Sequence, residues 1–349
     1  MLELNPPSLQ LAAAGKRISL DSPGELVFVS HAHSDHAPRS KNKGVESVFI
    51  TSKATVDLLA AKGRSIAKSV EHLPADGLKI RLLDSGHILG SKQFYAEWDG
   101  DAGSGHTSFL YSGDFKLDES LTAPRAETAH AEKLLLETTY GIPEYSFPAR
   151  DQTYEDIAHW VKSEHHAGHN VLLGGYAIGK AQELVAVLNN FLGIIPIVTK
   201  PVFDACEVYR RHGVKLDFVC AESEDGKEML ELGGFAAVVP MHLASAEMAS
   251  QLSMAYGRKT VAAVATGWAL HNWFRGARAF CLSDHADHAQ LLEYVDLVRP
   301  KKVFTTHGFA REFAEELKKR GVDAVALEDA LAKTPAGAGA EVRARQQKL

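Results

Sequence analysis

His31-Ala-His33-Ser-Asp35-His36 stands directly after the apolar run Leu26-Val-Phe-Val-Ser30, and the reading of the chain turns on this junction. Branched and aromatic side chains in so short a run make a buried strand, and the small and polar residues after it make a loop. Three imidazoles and a carboxylate within six residues at a strand exit can point in different directions and be shared between two neighbouring metal ions. Few other uses exist for such density, because the rings repel one another when protonated and need buried partners when neutral. A single loop histidine is usually an ordinary surface residue; this cluster reads as a metal site.

Two metals need more ligands, and three other segments offer them in the same way. Asp84-Ser-Gly-His87, Ser112-Gly-Asp114 and Thr305-Thr-His307-Gly308 each follow a strand pattern, with His87, Asp114 and His307 presented at its end. Taken singly, His87 is a loop hydrogen-bonder, Asp114 a turn residue and His307 a strand-end cap. Together they repeat one design, a rigid strand edge that delivers a ligand. Lys133-Leu-Leu-Leu-Glu137 adds a buried-looking strand that ends in an acid.

The 349 residues, 45% hydrophobic and 23% charged, fit a globular chain of about two domains, or one domain carrying an insertion. A net charge of −6 means that a polyanionic partner must be held by a local feature and not by bulk charge. Cys206, Cys220 and Cys281 are odd in number and widely spaced, which excludes a disulfide framework and a cysteine-based zinc knuckle. The apolar run Asn190 to Val198 falls well short of the roughly 20 residues of a membrane span. The start, Met1-Leu-Glu-Leu-Asn-Pro-Pro7, has neither the basic residues nor the apolar centre of a signal peptide. The expectation is a soluble, cytoplasmic protein without membrane association.

Strand patterns at Ile18–Leu20, Leu26–Ser30, Ser47–Thr51, Leu78–Asp84, Phe94–Trp98 and Thr107–Tyr111 fill the first part, with a Gly-rich hairpin between the last two. Gly141-Ile-Pro-Glu-Tyr-Ser-Phe-Pro148 breaks the pattern, and a plain α/β alternation follows. The expected domains are 1–149 with 259–334, a lobe inserted at 150–258, and a flexible tail at 335–349. Val261–Thr266, Ala277–Cys281 and Lys302–Thr306 are expected to return to the first domain.

The whole set resembles the metallo-β-lactamase superfamily and, within it, the β-CASP nucleases. Asp21 after Ile18-Ser-Leu20, the signature His31 to His36, His87 and Asp114 match the successive motifs of the superfamily. Glu137 in Leu-Glu-Thr-Thr-Tyr-Gly141, His285 in Leu282-Ser-Asp-His285 and His307 before Gly308 match the β-CASP additions. Tyr176-Ala-Ile-Gly-Lys-Ala-Gln-Glu183 and Ala265-Thr-Gly-Trp268 are similar to that family's cap. The resemblance implies an α/β fold: an αββα sandwich with an inserted α/β cap domain, metals at one edge, and nucleic acid in the cleft between.

Carried over by position, one metal would take His31, His33 and His87, and the other Asp35, His36 and His307, with Asp114 bridging. The implied cofactor is a pair of zinc ions, with manganese as the alternative; such a pair activates water and neutralises a phosphoryl oxygen. His285 would be the general acid, Glu137 would orient it, and Asp21 would support the histidine-rich loop from behind. Lys116 and Lys180, a few residues from motif positions, are expected to contact substrate phosphates.

The leading expectation is a metal-dependent nuclease, most similar to bacterial ligase-associated DNA exonucleases, acting in DNA repair with a DNA ligase as functional partner. The alternative is an RNA-processing endonuclease or exonuclease resembling messenger-RNA 3′-end processing factors, because a histidine at the position of His307 is met more often in RNA-cleaving branches. An inactive nucleic-acid-binding scaffold would have lost ligands, and all seven are kept. A small-molecule hydrolase would leave the inserted lobe and the Glu137/His285 pair without a purpose.

Overall fold

Three six-stranded sheets carry the chain in the computed structural model, which describes residues 4–5, 8–38, 47–66, 68–73, 77–99, 105–271 and 277–332. The first sheet runs Leu4–Asn5, Ser8–Ala13, Lys16–Leu20, Leu26–Phe28, Val48–Ile50 and Ser69–Val70 in chain order. Its last four strands are parallel. In the second sheet Leu78–Asp84, Lys92–Asp99 and His106–Tyr111 form an antiparallel meander. Lys133–Glu137, Lys302–Thr306 and Ala324–Ala326 extend it in parallel. Strand pairing brings Asp99 opposite His106, as the expected hairpin requires; residues 100–104 of its loop, and the expected tail at 335–349, lie outside the described residues.

Alternation along these strands places one side-chain set between the two sheets. Leu11, Ile18, Leu20, Phe28 and Ile50 meet Phe94, Ala96, Trp98, Phe109, Tyr111 and Leu135 there. The opposite set of the second sheet, including Tyr95, Leu110, Leu134 and Leu136, packs on Leu291, Tyr294, Val295 and Phe313 of helices His288–Val298 and Ala310–Lys319. Helix Lys53–Ala61, capped by Ser52 as its Oγ accepts from Thr55 N, puts Leu58 and Leu59 against Val27 and Val29 of the first sheet. This is an αββα sandwich.

The third sheet belongs to the inserted cap domain and is parallel throughout. Its strand order is Val219–Cys220, Ile197–Val198, Ala236–Pro240, Asn170–Gly175, Thr260–Ala265 and Arg278–Phe280. Helices Arg150–His166, Lys180–Leu192 and Lys200–Arg211 cover one face, and Glu224–Leu232 and Ala246–Tyr256 the other. The sequence reading ended the inserted lobe at 258 and returned the next two strands to the first domain. The structure corrects this: Thr260–Ala265 pairs with Asn170–Gly175, and Arg278–Phe280 pairs with Thr260–Ala265. An open parallel sheet accepts another strand through backbone bonds alone, so a run of apolar residues does not announce which sheet will take it.

Cap and sandwich share one apolar cluster, which holds Leu58 and Leu59 of the sandwich helix together with Tyr154, Leu184 and Tyr209 of the three cap helices. His212 Nε2, just past helix Lys200–Arg211, lies 2.9 Å from Asp57 Oδ2 on the sandwich. Among the described residues no helix is long and apolar enough to cross a membrane.

Candidate metal centre

The chemistry-bearing side chains sit where strands finish. Asp21 follows Lys16–Leu20, His31 to His36 follow Leu26–Phe28, His87 follows Leu78–Asp84, Asp114 follows His106–Tyr111, and His307 follows Lys302–Thr306. The third sheet turns the carboxyl ends of its own strands to the same place, through Tyr176 to Lys180 and Thr266 to Trp268. Parallel α/β sheets commonly bind ligands at such ends. Between them lies a cleft of about 890 Å³, lined by both domains.

At its floor His31, His33, His87 and Asp114 bring one donor atom each within 4.8 Å of one another. His33 Nδ1 is 3.0 Å from His31 Nε2 and 3.1 Å from His87 Nε2. Asp114 Oδ2 is 3.6 Å from His31 Nε2 and 3.8 Å from His87 Nε2. Zinc–nitrogen bonds of 2.0–2.1 Å in a tetrahedron put neighbouring donors about 3.3 Å apart, so the set has the right size.

The protons settle the fit. His87 Nδ1 faces the Asp284 carbonyl at 2.9 Å and His33 Nε2 faces the Ile178 carbonyl at 3.0 Å. A carbonyl only accepts, so each of these nitrogens carries the ring proton when the imidazole is neutral. His87 Nε2 and His33 Nδ1 therefore confront each other with two lone pairs and no proton, an arrangement that a shared cation resolves. Burial lowers the pKa of His31, His33 and His87, with neighbouring imidazoles adding to the effect at His31 and His87. Neutral rings are the form that binds metal.

The second donor set is more open. His36 Nε2 is 3.3 Å from Asp114 Oδ2 and 3.8 Å from Asp35 Oδ2. Asp35 is 72% exposed at its side chain, and the exposed His307 ring lies 5.5 Å from that of His36, centroid to centroid. Burial pulls His36 down, but Asp114 and Asp21, followed by Asp35, outweigh it and lift its pKa to about 10. Three carboxylates around one imidazole mark a place that favours positive charge. Asp21 stands behind the loop: Oδ1 accepts from Ser30 N at 2.7 Å, and Oδ2 from Ser30 Oγ at 2.6 Å, Tyr111 OH at 2.9 Å and His36 Nδ1 at 2.9 Å.

Glu137 is buried at the end of its strand. Its Oε2 accepts from Thr139 N at 2.9 Å and its Oε1 from His285 Nδ1 at 3.0 Å. Burial pushes its pKa up, but the charge and hydrogen bond of His285 hold it below the usual carboxylate range. Reciprocally, burial lowers His285 while Glu137 and Asp114 raise it further, to about 9. The His285 ring is 4.6 Å from that of His87, centroid to centroid, at the cleft wall. Asp114, Glu137 and His285 also bring donor atoms within 4.8 Å, so the geometry suits either an acid poised beside the His31/His33/His87/Asp114 set or a further carboxylate–imidazole group.

Lys116 and Lys180 do not take the expected position as phosphate contacts. Lys116 is 0% exposed and donates to the carbonyls of Gly86 and His87; burial, with Arg150 nearby, brings its pKa down to about 7. Lys180, 1% exposed, has Nζ 2.8 Å from both Glu183 Oε2 and Asp284 Oδ1. Buried ammonium groups must be paired or hydrogen-bonded, and these already are. Lys62 and Lys200, with Tyr176 and Trp268, line the cleft together with the paired Lys180, and Lys116 does not. The sequence pattern gives no role in the site to Lys62 or Lys200, and carries Tyr176, Trp268 and Asp284 only as parts of motifs; the Asp284 backbone carbonyl orients His87.

Residues 278–327 match the family described as RMMBL, Zn-dependent metallo-hydrolase RNA specificity domain. Over 332 residues the chain is 33% identical to a protein of Opitutus terrae named "Probable DNA ligase", matching 91% of this chain and 30% of that protein. It is 27% identical over 234 residues to the "RNase J-like protein" of Methanocaldococcus jannaschii, covering 60% of this chain and 54% of the relative. The chain thus spans about a third to a half of these relatives' own lengths. A crystal structure of a protein of unknown function from Enterococcus faecalis V583 shares the fold, with a TM-score of 0.54, 14% identity, and coverage of 86% of this chain and 78% of that one. With the αββα sandwich, the inserted parallel cap and the histidine–aspartate cluster at their junction, the chain resembles the metallo-β-lactamase superfamily, in its β-CASP nuclease branch.

Proposed function

We propose that this chain is a metal-dependent nuclease that hydrolyses phosphodiester bonds, acting on DNA from an end. The observation that carries the reading is the meeting of the His31/His33/His87/Asp114 set with the Glu137–His285 pair in one cleft between two domains. His31, His33 and His87 would hold one zinc or manganese ion, Asp35, His36 and His307 a second, with Asp114 between them. When bound, such ions supply positive charge for a phosphoryl oxygen and lower the pKa of water.

The chain's own residues do the rest. Glu137 fixes the His285 ring through Nδ1, which leaves Nε2 to hold a proton toward the cleft. The leaving 3′ oxygen of a phosphodiester needs that proton as the P–O bond breaks, and a positioned imidazolium supplies it. Backbone carbonyls at Asp284 and Ile178 keep His87 and His33 in the tautomers that ligation needs.

DNA is favoured by the likeness to a relative named as a probable DNA ligase, in which the matching segment shares a chain with other sequence. That likeness also supports functional association with a ligase in repair. A second reading, RNA processing, is favoured by the match of 278–327 to an RNA specificity domain and by the RNase J-like relative. End-labelled DNA and RNA oligonucleotides of one sequence, with zinc or manganese supplied, separate the two. Stepwise shortening of DNA is expected; faster cleavage of RNA, or cutting of a circular substrate, would move the assignment to the second reading.

A further inference from the structure

We propose that Lys180 is a positioning residue that ties the seating of the cap domain to the assembly of the metal centre. This rests on the ligand reading of His33 and His87 given above. Lys180 is the first residue of cap helix Lys180–Leu192, and its buried ammonium reaches out of the cap to Asp284 Oδ1 at 2.8 Å. Asp284 in turn has two attachments to the site. Its backbone oxygen accepts from His87 Nδ1 at 2.9 Å, and the next residue in the chain is His285.

The turn before Lys180 reaches the site by a second route. Ile178 O accepts from His33 Nε2 at 3.0 Å. Gly179, at φ +94°, is pressed so closely on the His87 loop that a Cβ there would lie 2.4 Å from Ile88 Cγ2 and 3.2 Å from Asp284 Oδ2. One short cap turn therefore sets the tautomer of His33 directly, and holds through Asp284 the residue that sets the tautomer of His87. Removing partners of this kind behind a ligand typically costs 10- to 100-fold in metal affinity.

Glu183 anchors the arrangement from within the cap. It accepts from Lys180 Nζ at 2.8 Å and from Arg150 at 2.6 Å, and Arg150 also donates to the Ser283 carbonyl. The ammonium of Lys180 thus lies between an acid fixed in the cap and an acid fixed behind the metal ligands. Among the described lysines, Lys180 is the one within hydrogen-bond distance of the Asp284 carboxylate.

The test measures zinc affinity by competition with a chelator, which does not depend on nuclease activity, alongside thermal unfolding. Lys180→Met is expected to weaken zinc binding about 10- to 100-fold, and Lys180→Arg to recover part of the loss. His212→Ala removes a different bridge between cap and sandwich, to Asp57, and should leave zinc affinity unchanged. If Lys180→Met does not fold, Asp284→Asn, which keeps the carbonyl to His87 but discharges the partner of Lys180, is expected to weaken binding in the same direction. Wild-type affinity in a folded Lys180→Met or Asp284→Asn protein, or equal losses in Lys180→Met and His212→Ala, would overturn the proposal. Failure of the wild-type protein to bind zinc at all would instead overturn the ligand reading on which it rests.

Discussion

Asp21 and His307 both occupy backbone conformations that L-residues avoid, at φ +46° and +62°. Such positions cost on the order of 1–3 kcal/mol each and persist where the surroundings enforce them. At Asp21 the return is visible, since from that turn its carboxylate reaches Ser30, Tyr111 and His36 together. At His307 the turn places the ring beside His36 while Thr138 Oγ1 donates to the His307 carbonyl at 2.8 Å. His307→Asn and His307→Val remove the same imidazole but differ in their tolerance of positive φ. Both are expected to weaken metal binding, and Val should be about 1–3 kcal/mol less stable than Asn by urea unfolding; equal stabilities would show that the loop relaxes. His285→Ala should retain its metal by elemental analysis while losing about 10²- to 10⁴-fold in rate. Metal loss in that variant would reassign His285 as a ligand with Asp114 and Glu137. The histidines and aspartates were legible in the sequence because few side chains bind metal. Asp284 was not, because what it gives His87 is a carbonyl, and every residue has one.

Strand ends explain why spacing in the chain places the candidate donors at one edge but does not show the burial of the lysines. A loop leaving a strand delivers its first residues to a predictable edge, so His87, Asp114 and His307 could be placed from local pattern alone. Lys116 and Lys180 were judged by nearness to those motifs, yet whether a side chain faces solvent depends on what packs over it from elsewhere. Asp284 and Glu183 enclose Lys180 from two segments, and the His87 loop covers Lys116. This buried charge cluster has a pH signature. Burial raises the pKa of Asp284, but Lys180 and Lys116 outweigh that and bring it to about 2. A carboxylate depressed in the folded state adds stability that is complete above its unfolded pKa, roughly 3.9, and disappears as pH falls toward the folded value. Asp284→Asn should therefore flatten the stability profile between about pH 4 and pH 2, as followed by thermal unfolding; an unchanged slope would place the titration elsewhere. Backbone packing makes a separate demand at Gly308, φ +52°, where a Cβ would lie 2.5 Å from Thr139 Cα. Gly308→Ala should cost about 1–3 kcal/mol in urea unfolding, and a neutral result would show that the two loops can part.

Across the molecule, the alternation of strands and helices announced an inserted α/β lobe and the family resemblance implied the sandwich, while the edge of that lobe stayed hidden until Arg278–Phe280 was seen to pair in the third sheet. The candidate site is equally distributed, with side chains from Asp21 to His307 and backbone carbonyls from both domains. That spread has a consequence in time. Contacts between residues so far apart in the chain form late, after most loop closure has been achieved. We therefore predict that the donors are not assembled in the folding transition state and that an ion bound to them acts on the native side of the barrier. Interactions absent from the transition state slow unfolding and leave refolding nearly untouched. Stripping the protein with a chelator should accordingly steepen its loss on a denaturant jump without changing the rate at which it regains structure. The cleft would then act as a clasp, shut last and opened first, with its lifetime set by the metal supply.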